Sequence, residues 1–362
     1  MARQRQAVTI RHVAAEAGVS LQTVSRVINN HPSVRAEVRA RVQSAIDRLG
    51  YVPSIAAQRM SGSRSYLILA INDRDRTIAD WRSRQGTDWV DQMLLGGMLK
   101  CAEHGYRMIF ELVDTHSDHV ERELLGALAA LRPDGVLLTP PHSDNPQMVR
   151  LLDRQGIAFA RIGSTDNGPG IRIAMDDEGA AADATRHLLA LGHRRIGLVA
   201  GPAEYALSGR RVNGWRAAMA EAGLTTEGLL AQGDFSYPSG ARAAHELLGL
   251  PPACRPTAII ASNDQMALAA LEVARARGIL VPGALSLVSF DNTPPVHFAQ
   301  PPLTAIDQPI AATTARAVER IIALQQGKAA PPMPEVLEAA LVVRASTGPA
   351  AAPEAPPVAR RG

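Results

Sequence analysis

A capped amphipathic stretch opening at Ser20 constrains the fold of this chain more than any other. In Val19-Ser20-Leu21-Gln22-Thr23-Val24-Ser25-Arg26-Val27-Ile28-Asn29, the Ser20 hydroxyl can accept from the otherwise unpaired amides of a first helical turn. Val24, Val27 and Ile28 recur at three- and four-residue spacing and predict a buried stripe. Gln22, Ser25, Arg26 and Asn29 share another side, a mixed donor and acceptor surface suited to base edges and phosphates. Upstream, Ile10 to Ala17 reads as a short helix that starts at Thr9 and stops at Gly18. Helix, glycine turn and capped helix together predict a helix-turn-helix whose second helix is the reader. A helical pair with a solvated polar face is the alternative, and periodicity alone does not separate the two. A third helix carries Val38, Val42, Ala45, Ile46 and Leu49 on one face and ends at Gly50, after which the chain restarts at Pro53 and runs to Met60.

Charge is distributed unevenly. Residues 1–66 hold ten arginines against Glu16, Glu37 and Asp47, a net +7, so the rest of this +3 chain carries −4. A basic head on a mildly acidic body fits a phosphate-binding domain joined to a small-molecule sensor. At 362 residues the chain is too long for one core and suits two or three domains. It contains no apolar run of membrane-spanning length, and Met-Ala-Arg-Gln-Arg is no signal core, so a cytoplasmic location is expected, with no membrane partner. Cys101 and Cys254 stand far apart without a partner motif and read as buried or idle thiols.

After Ser61-Gly62-Ser63 the pattern becomes α/β. Strands are expected at Tyr66 to Ile71, Arg107 to Leu112, Gly135 to Thr139 and Ile157 to Ile162, the last closing a first series, with a helix around Asp88 to His104. A second series starts near Asp177: helix to Leu191, strand Arg195 to Val199, helix Ser208 to Ala222, strand Thr257 to Ala261, helix Asn263 to Arg277 and strand Leu285 to Phe290. Short apolar strands separated by helices predict doubly wound parallel sheets, with a ligand site between the two units at the strand carboxyl ends.

Val8-Thr9-Ile10, Ala14, Ala17-Gly18-Val19-Ser20, Thr23-Val24-Ser25-Arg26-Val27, Gly50-Tyr51, Pro53 and Ala57 together resemble the headpiece of the LacI/GalR family of bacterial transcription regulators. Leu191-Gly192-His193-Arg194-Arg195-Ile196-Gly197, Ala200-Gly201-Pro202, Asn263-Asp264-Gln265-Met266-Ala267, Ser289-Phe290-Asp291 and Pro302-Leu303-Thr304 resemble that family's effector core, which is similar to the periplasmic sugar-binding fold. The resemblance implies a small all-α headpiece at 1–51, a hinge helix and linker at 52–65, a two-lobed core at 66–346 and a disordered tail at 347–362. It puts the first lobe at 66–175 plus 308–330 and the second at 176–291 plus 334–346, with crossings near Met175, Asp291 to Asp307 and Gly327 to Pro334.

The resemblance also implies roles. Leu21, Gln22 and Arg26 would enter the major groove, Leu21 favouring a thymine methyl, while Thr9, Thr23, Ser25 and Asn29 would hold phosphates and register. Ile10, Ser20 and Ser33 join this DNA-facing set, as do Ser54, Ala57, Gln58 and Met60 in the hinge, with Met60 standing where a leucine wedge is usual. His12 replaces a common acidic partner of Thr9 and is expected to loosen the first helix start. Arg211, Asn263 and Asp291 match polar effector contacts, and Phe235 a ring platform. Each has a competing role: Arg211 as an ion-pair partner, beside Arg210; Asn263 as a cap; Asp291 as a brace of the crossover; Phe235 in lobe packing. Asp73, Trp89 and Gln92 could line the cleft from the first lobe, where Asn72 to Gly86 reads as a long charged loop departing from the family pattern.

No nucleophile elbow, metal-spaced cluster or phosphate-cradling loop occurs, and His116 and His119 read as solvated, so neither enzyme chemistry, catalytic residues, a metal nor a cofactor is expected. The expected protein is a repressor that binds a palindromic operator as a homodimer under control of a small ligand, a carbohydrate in the first instance. The alternatives are a purine or other non-sugar effector, a corepressed or activating member, and more remotely a sugar-binding transport protein.

Overall fold

The N-terminal unit is built by α1 (Ile10–Ala17), α2 (Leu21–Ile28) and α3 (Ala36–Leu49). Their small apolar residues meet in one core: Val13, Ala14 and Ala17 from α1, Val24 and Val27 from α2, Val42 and Ala45 from α3, closed by Tyr51. Gly18 and Gly50 take left-handed backbone at the ends of α1 and α3, the conformation that glycine reaches without a Cβ penalty. The computed structural model describes residues 8–28, 31–51 and 64–350, and the chain parts into two units between Tyr66 and Leu67. Asn29 and the hinge residues Ser54, Ala57, Gln58 and Met60 lie outside the described residues.

The second unit holds two six-stranded sheets. The first contains β1 (Leu67–Asp73), β2 (Arg107–Val113), β3 (Gly135–Leu138), β4 (Ala158–Ile162), β5 (Ile171–Met175) and β11 (Glu335–Leu337), in the order β11-β5-β4-β3-β1-β2, all parallel. The second contains β6 (Ile196–Ala200), β7 (Leu230–Gln232), β8 (Ala258–Ala261), β9 (Ser286–Asp291), β10 (Thr304–Asp307) and β12 (Ala340–Val342). Its order is β12-β10-β9-β8-β6-β7, parallel except for the β10–β12 pair. Strands of Ile, Val, Leu and Ala are buried end to end, as sheets covered by helices require. This is the two-lobed α/β core expected from the alternating pattern.

Several boundaries differ from the expectation. The first series does not close at Ile162, because β5 extends that sheet and β11 then pairs with β5. Residues 292–307 belong to the second lobe, since β10 pairs with β9 in register Ala305 to Ser289. The chain returns to the first lobe only after Asp307 and crosses for the last time between Leu337 and Ala340, not at 327–334. β7 and the helix Tyr237–Gly249 fill the gap left after Ala222. Asn72 to Gly86 is not a loop: it contains the helix Arg74–Ser83, capped by Asp73. The tail does not come loose at Thr347 either. The Gly348 amide donates to Ser286 Oγ at 3.1 Å and the Ala350 amide to the Leu191 carbonyl at 2.8 Å. Residues 351–362 lie outside the described residues.

Candidate functional site

In the N-terminal unit the capped helix forms as its sequence dictates. Ser20 Oγ accepts the Thr23 amide at 3.1 Å and meets Thr23 Oγ1 at 2.9 Å, which fixes the first turn of α2. With Val24 and Val27 turned into the core, Leu21, Gln22 and Arg26 stand exposed on one face, and Thr23 and Ser25 are half-buried at its edge. Thr9, Ser20 and Ser33 are also exposed and Ile10 is half-buried against the core. His12 does not loosen α1. Its Nδ1 accepts the Thr9 amide at 3.0 Å, so the imidazole fills the role of the missing carboxylate.

Within the second unit, the carboxyl ends of β1, β6, β8 and β9 open onto a cleft between the two lobes, with a cavity of about 120 Å³. Of the predicted contacts, Asp73, Trp89, Arg211, Phe235, Asn263 and Asp291 all line it; Gln92 and Arg210 do not. Arg211 is buried at the floor. Its Nε donates to Asp177 Oδ1 at 2.9 Å, one terminal nitrogen donates to the Ser262 carbonyl, and the guanidinium lies 4.3 Å from the Phe290 ring centroid. Arg210 turns away to Gly163 and Asp177. The one-residue ambiguity between the two arginines thus ends with Arg211 at the cleft and an ion pair in addition.

Asn263 and Asp73 carry structural duties as well. Asn263 Oδ1 accepts the Met266 amide at 3.0 Å and its Nδ2 donates to the Phe235 carbonyl at 2.8 Å, so one amide caps a helix and pins the platform. Asp73 accepts the Arg76 amide at 2.7 Å and the Thr115 hydroxyl at 2.6 Å. Phe235 and Asp291 have φ of +67° and +89°, unusual for residues with a Cβ, and such strain is held only where the surroundings fix it. Phe235 packs edge-on against Tyr205 at 5.3 Å, over Gly201, where any Cβ would overlap the ring.

Burial raises the Asp264 and Asp291 carboxyls above the usual range. The Ser289 hydroxyl and the Thr293 amide and hydroxyl, the last two at 2.6 Å, donate to Asp264 and offset part of that rise. Burial likewise raises Asp80 and Asp88. Asn72 Nδ2, Ser262 Oγ and Gln308 Oε1 are buried in the wall of the cleft without a hydrogen-bond partner among the described residues. Sites of this kind ask for a polar ligand or water.

Sequence reasoning missed Arg76, Asp80, Asp88, Tyr205, Ser262 and Gln308. Ser262 was within reach, since it follows β8 directly at a strand carboxyl end. Arg76 and Asp80 were hidden in a helix without an apolar stripe. Arg76 joins the lobes, donating to the Asp234 carbonyl and lying 5.7 Å from the Phe235 ring centroid. His116 and Glu204 form a second, exposed contact at 2.7 Å, so His116 is not simply solvated. Among the described residues no helix is long and apolar enough to cross a membrane, and no His, Cys, Asp or Glu group is arranged to hold a metal. Cys101 is buried, its thiol pushed up to about 12, and Cys254 is exposed.

Comparison with known proteins finds two family models in the chain. Residues 9–54 match bacterial regulatory proteins of the lacI family, and residues 185–347 match a periplasmic binding protein-like domain. The chain is 34% identical to the HTH-type transcriptional regulator CelR of Thermobifida fusca, over 95% of its own length and 99% of that protein's. It superposes on a CelR–cellobiose complex with a TM-score of 0.70, at 32% identity, covering 94% of this chain and 99% of the other. A lac repressor dimer bound to operator and an anti-inducer gives a TM-score of 0.76 at 27% identity, covering 95% and 100%.

Proposed function

Since the chain belongs to the LacI family and is a transcriptional regulator, we propose that it is a repressor whose operator binding is controlled by a carbohydrate in the cleft. The observation that carries this reading is the cleft: aromatic rings, carboxylates, an arginine and unpartnered buried polar atoms converge at the carboxyl ends of two sheets. A polyol supplies donors and acceptors to such a lining and stacks its carbon face on an aromatic ring. The CelR–cellobiose complex supports a sugar as the ligand class. On the DNA side, Leu21, Gln22 and Arg26 read base edges, Thr9, Thr23, Ser25 and Asn29 seat the phosphates and fix register, and Ile10, Ser20 and Ser33 complete the DNA-facing set.

A reader with few base contacts gains affinity by doubling, so a homodimer on a palindrome is the working assembly, with Ser54, Ala57, Gln58 and Met60 of the two copies at the centre of the site. The lac repressor dimer on its operator supports this arrangement. Acting on DNA, the protein works in the bacterial cytoplasm, without cofactor or catalytic residue. The test is selection of duplexes from a random pool by the full chain, followed by affinity measurements across a salt series. Palindromes are expected, with affinity falling steeply as salt rises. Arg26→Ala is expected to cost about 1–3 kcal/mol and to relax sequence preference. Enrichment of no sequence at low salt would overturn the reading.

A further inference from the structure

We propose that the cleft selects its ligand by charge, accepting an uncharged or amine-bearing polyhydroxy ring and rejecting the same ring once it carries a carboxylate or a phosphate. The inference rests on the cleft being the effector site. Five carboxylates line it against two guanidiniums. Both cations are already engaged by the protein: Arg211 by Asp177 at 2.9 Å and the Ser262 carbonyl, Arg76 by Asp80 at 3.0 Å and the Asp234 carbonyl. Neither is left as a bidentate fork for an anion, which is how guanidiniums recognise carboxylate and phosphate.

The carboxylates are less well matched. Asp73 and Asp264 face only neutral donors, namely an amide and a hydroxyl for the first and two hydroxyls and an amide for the second. Among the described residues no ion pair reaches Asp88, from the first lobe, or Asp291, from the second. Burial above all raises the Asp291 carboxyl; the charge of Arg211 draws it back down, and the charge of Asp88 on the facing lobe adds to the rise. A ligand entering between them meets an excess of negative charge in a site partly shielded from water, where Coulomb interactions are strong. An ammonium or a set of hydroxyl donors relieves that repulsion; a further anion compounds it.

Two independent features place polar ligand atoms here. Asn72 and Ser262 are almost wholly buried in the cleft wall, and each keeps one polar atom without a partner, Nδ2 in the first and Oγ in the second. Trp89 and Phe235 also line the cleft, and aromatic faces attract cations and the C–H face of a sugar but not anions.

The test is calorimetric titration of the full chain at neutral pH with glucose, galactose and cellobiose, each beside its amine, uronate and 6-phosphate derivatives. Within whichever series binds, the amine is expected to match or exceed the parent. The uronate and the phosphate are expected to bind about tenfold more weakly or worse. Asp88→Asn, at the start of a surface-reaching helix, is expected to shrink the amine-over-uronate ratio at least about threefold with unchanged thermal unfolding, a readout that a merely structural role would not move. A uronate or phosphate that binds as tightly as its parent overturns the charge selection alone. Silence from every series would sink the carbohydrate reading beneath it, and the inference with it.

Discussion

Single residues in this chain serve two tasks at once, and His142 shows how closely the cleft is tied to the core behind it. Its imidazole is buried, with Nε2 2.9 Å from Thr115 Oγ1 and 3.2 Å from the Val113 carbonyl, while Thr115 donates to Asp73 in the cleft wall. Nε2 therefore carries the proton, and Nδ1 is left without a partner among the described residues. Burial lowers the ring from 6.5 to about 4, against the opposing charges of Asp73 and Asp114 and with that of nearby His116. The unfolded chain takes up a proton near the ordinary histidine value while the folded chain does not, so stability falls as pH drops from about 6.5 to about 4. Over that window the loss is on the order of 3 kcal/mol from this residue. Denaturant unfolding of the wild type and His142→Gln at several pH values checks it: the difference between the two should narrow on acidification. His187 and His193, lowered for the same reason, act in the same direction in both proteins and cancel in that difference.

At the scale of elements, caps decide where helices begin. Ser20→Ala removes the acceptor of the Thr23 amide and is expected to cost about 1 kcal/mol of headpiece stability. Thermal unfolding of the headpiece transition would register it, and Ser20→Asp should restore most of the loss. The reading helix, α3 and strands β1 to β4, β6, β8 and β9 were legible in sequence because apolar periodicity and capping chemistry agree there, whereas β5 and β10 were not expected. The helix Arg74–Ser83 was not legible: in Arg-Asp-Arg-Thr-Ile-Ala-Asp-Trp-Arg-Ser only Thr77 is fully buried, so no stripe marks it. Its support is tertiary, from the Asp73 cap, the Arg76–Asp80 pair and the Arg74–Glu123 pair at 2.5 Å. β7, β11 and β12 escaped for another reason, each being three residues long and too short to show alternation. Residues 347–350 read as an Ala- and Pro-rich tail, yet His193, Ser286 and Leu191 hold their backbone.

For the whole molecule, one chain combines a basic unit presenting an exposed reading face with a unit whose lobes enclose a polar cleft. The predicted cleft residues were found together because the carboxyl ends of β1, β6, β8 and β9 face one cleft, where the architecture leads one to look. What the rule could not supply was the partnering of each side chain, on which the charge selection depends. Arg76 and the His116–Glu204 pair already bridge the lobes, so a ligand acts on an existing set of contacts across the cleft. Coupling between ligand and DNA is reciprocal: a sugar that weakens operator binding must itself bind more weakly to the operator complex, by the same factor. The most direct measurement is fluorescence anisotropy of the full chain on its selected palindrome, titrated with the sugar that calorimetry identifies. The account predicts that the sugar releases the duplex, and that its affinity for the duplex-saturated protein drops by the factor seen in DNA affinity. A sugar that saturates the free protein while the anisotropy stays unchanged would contradict it.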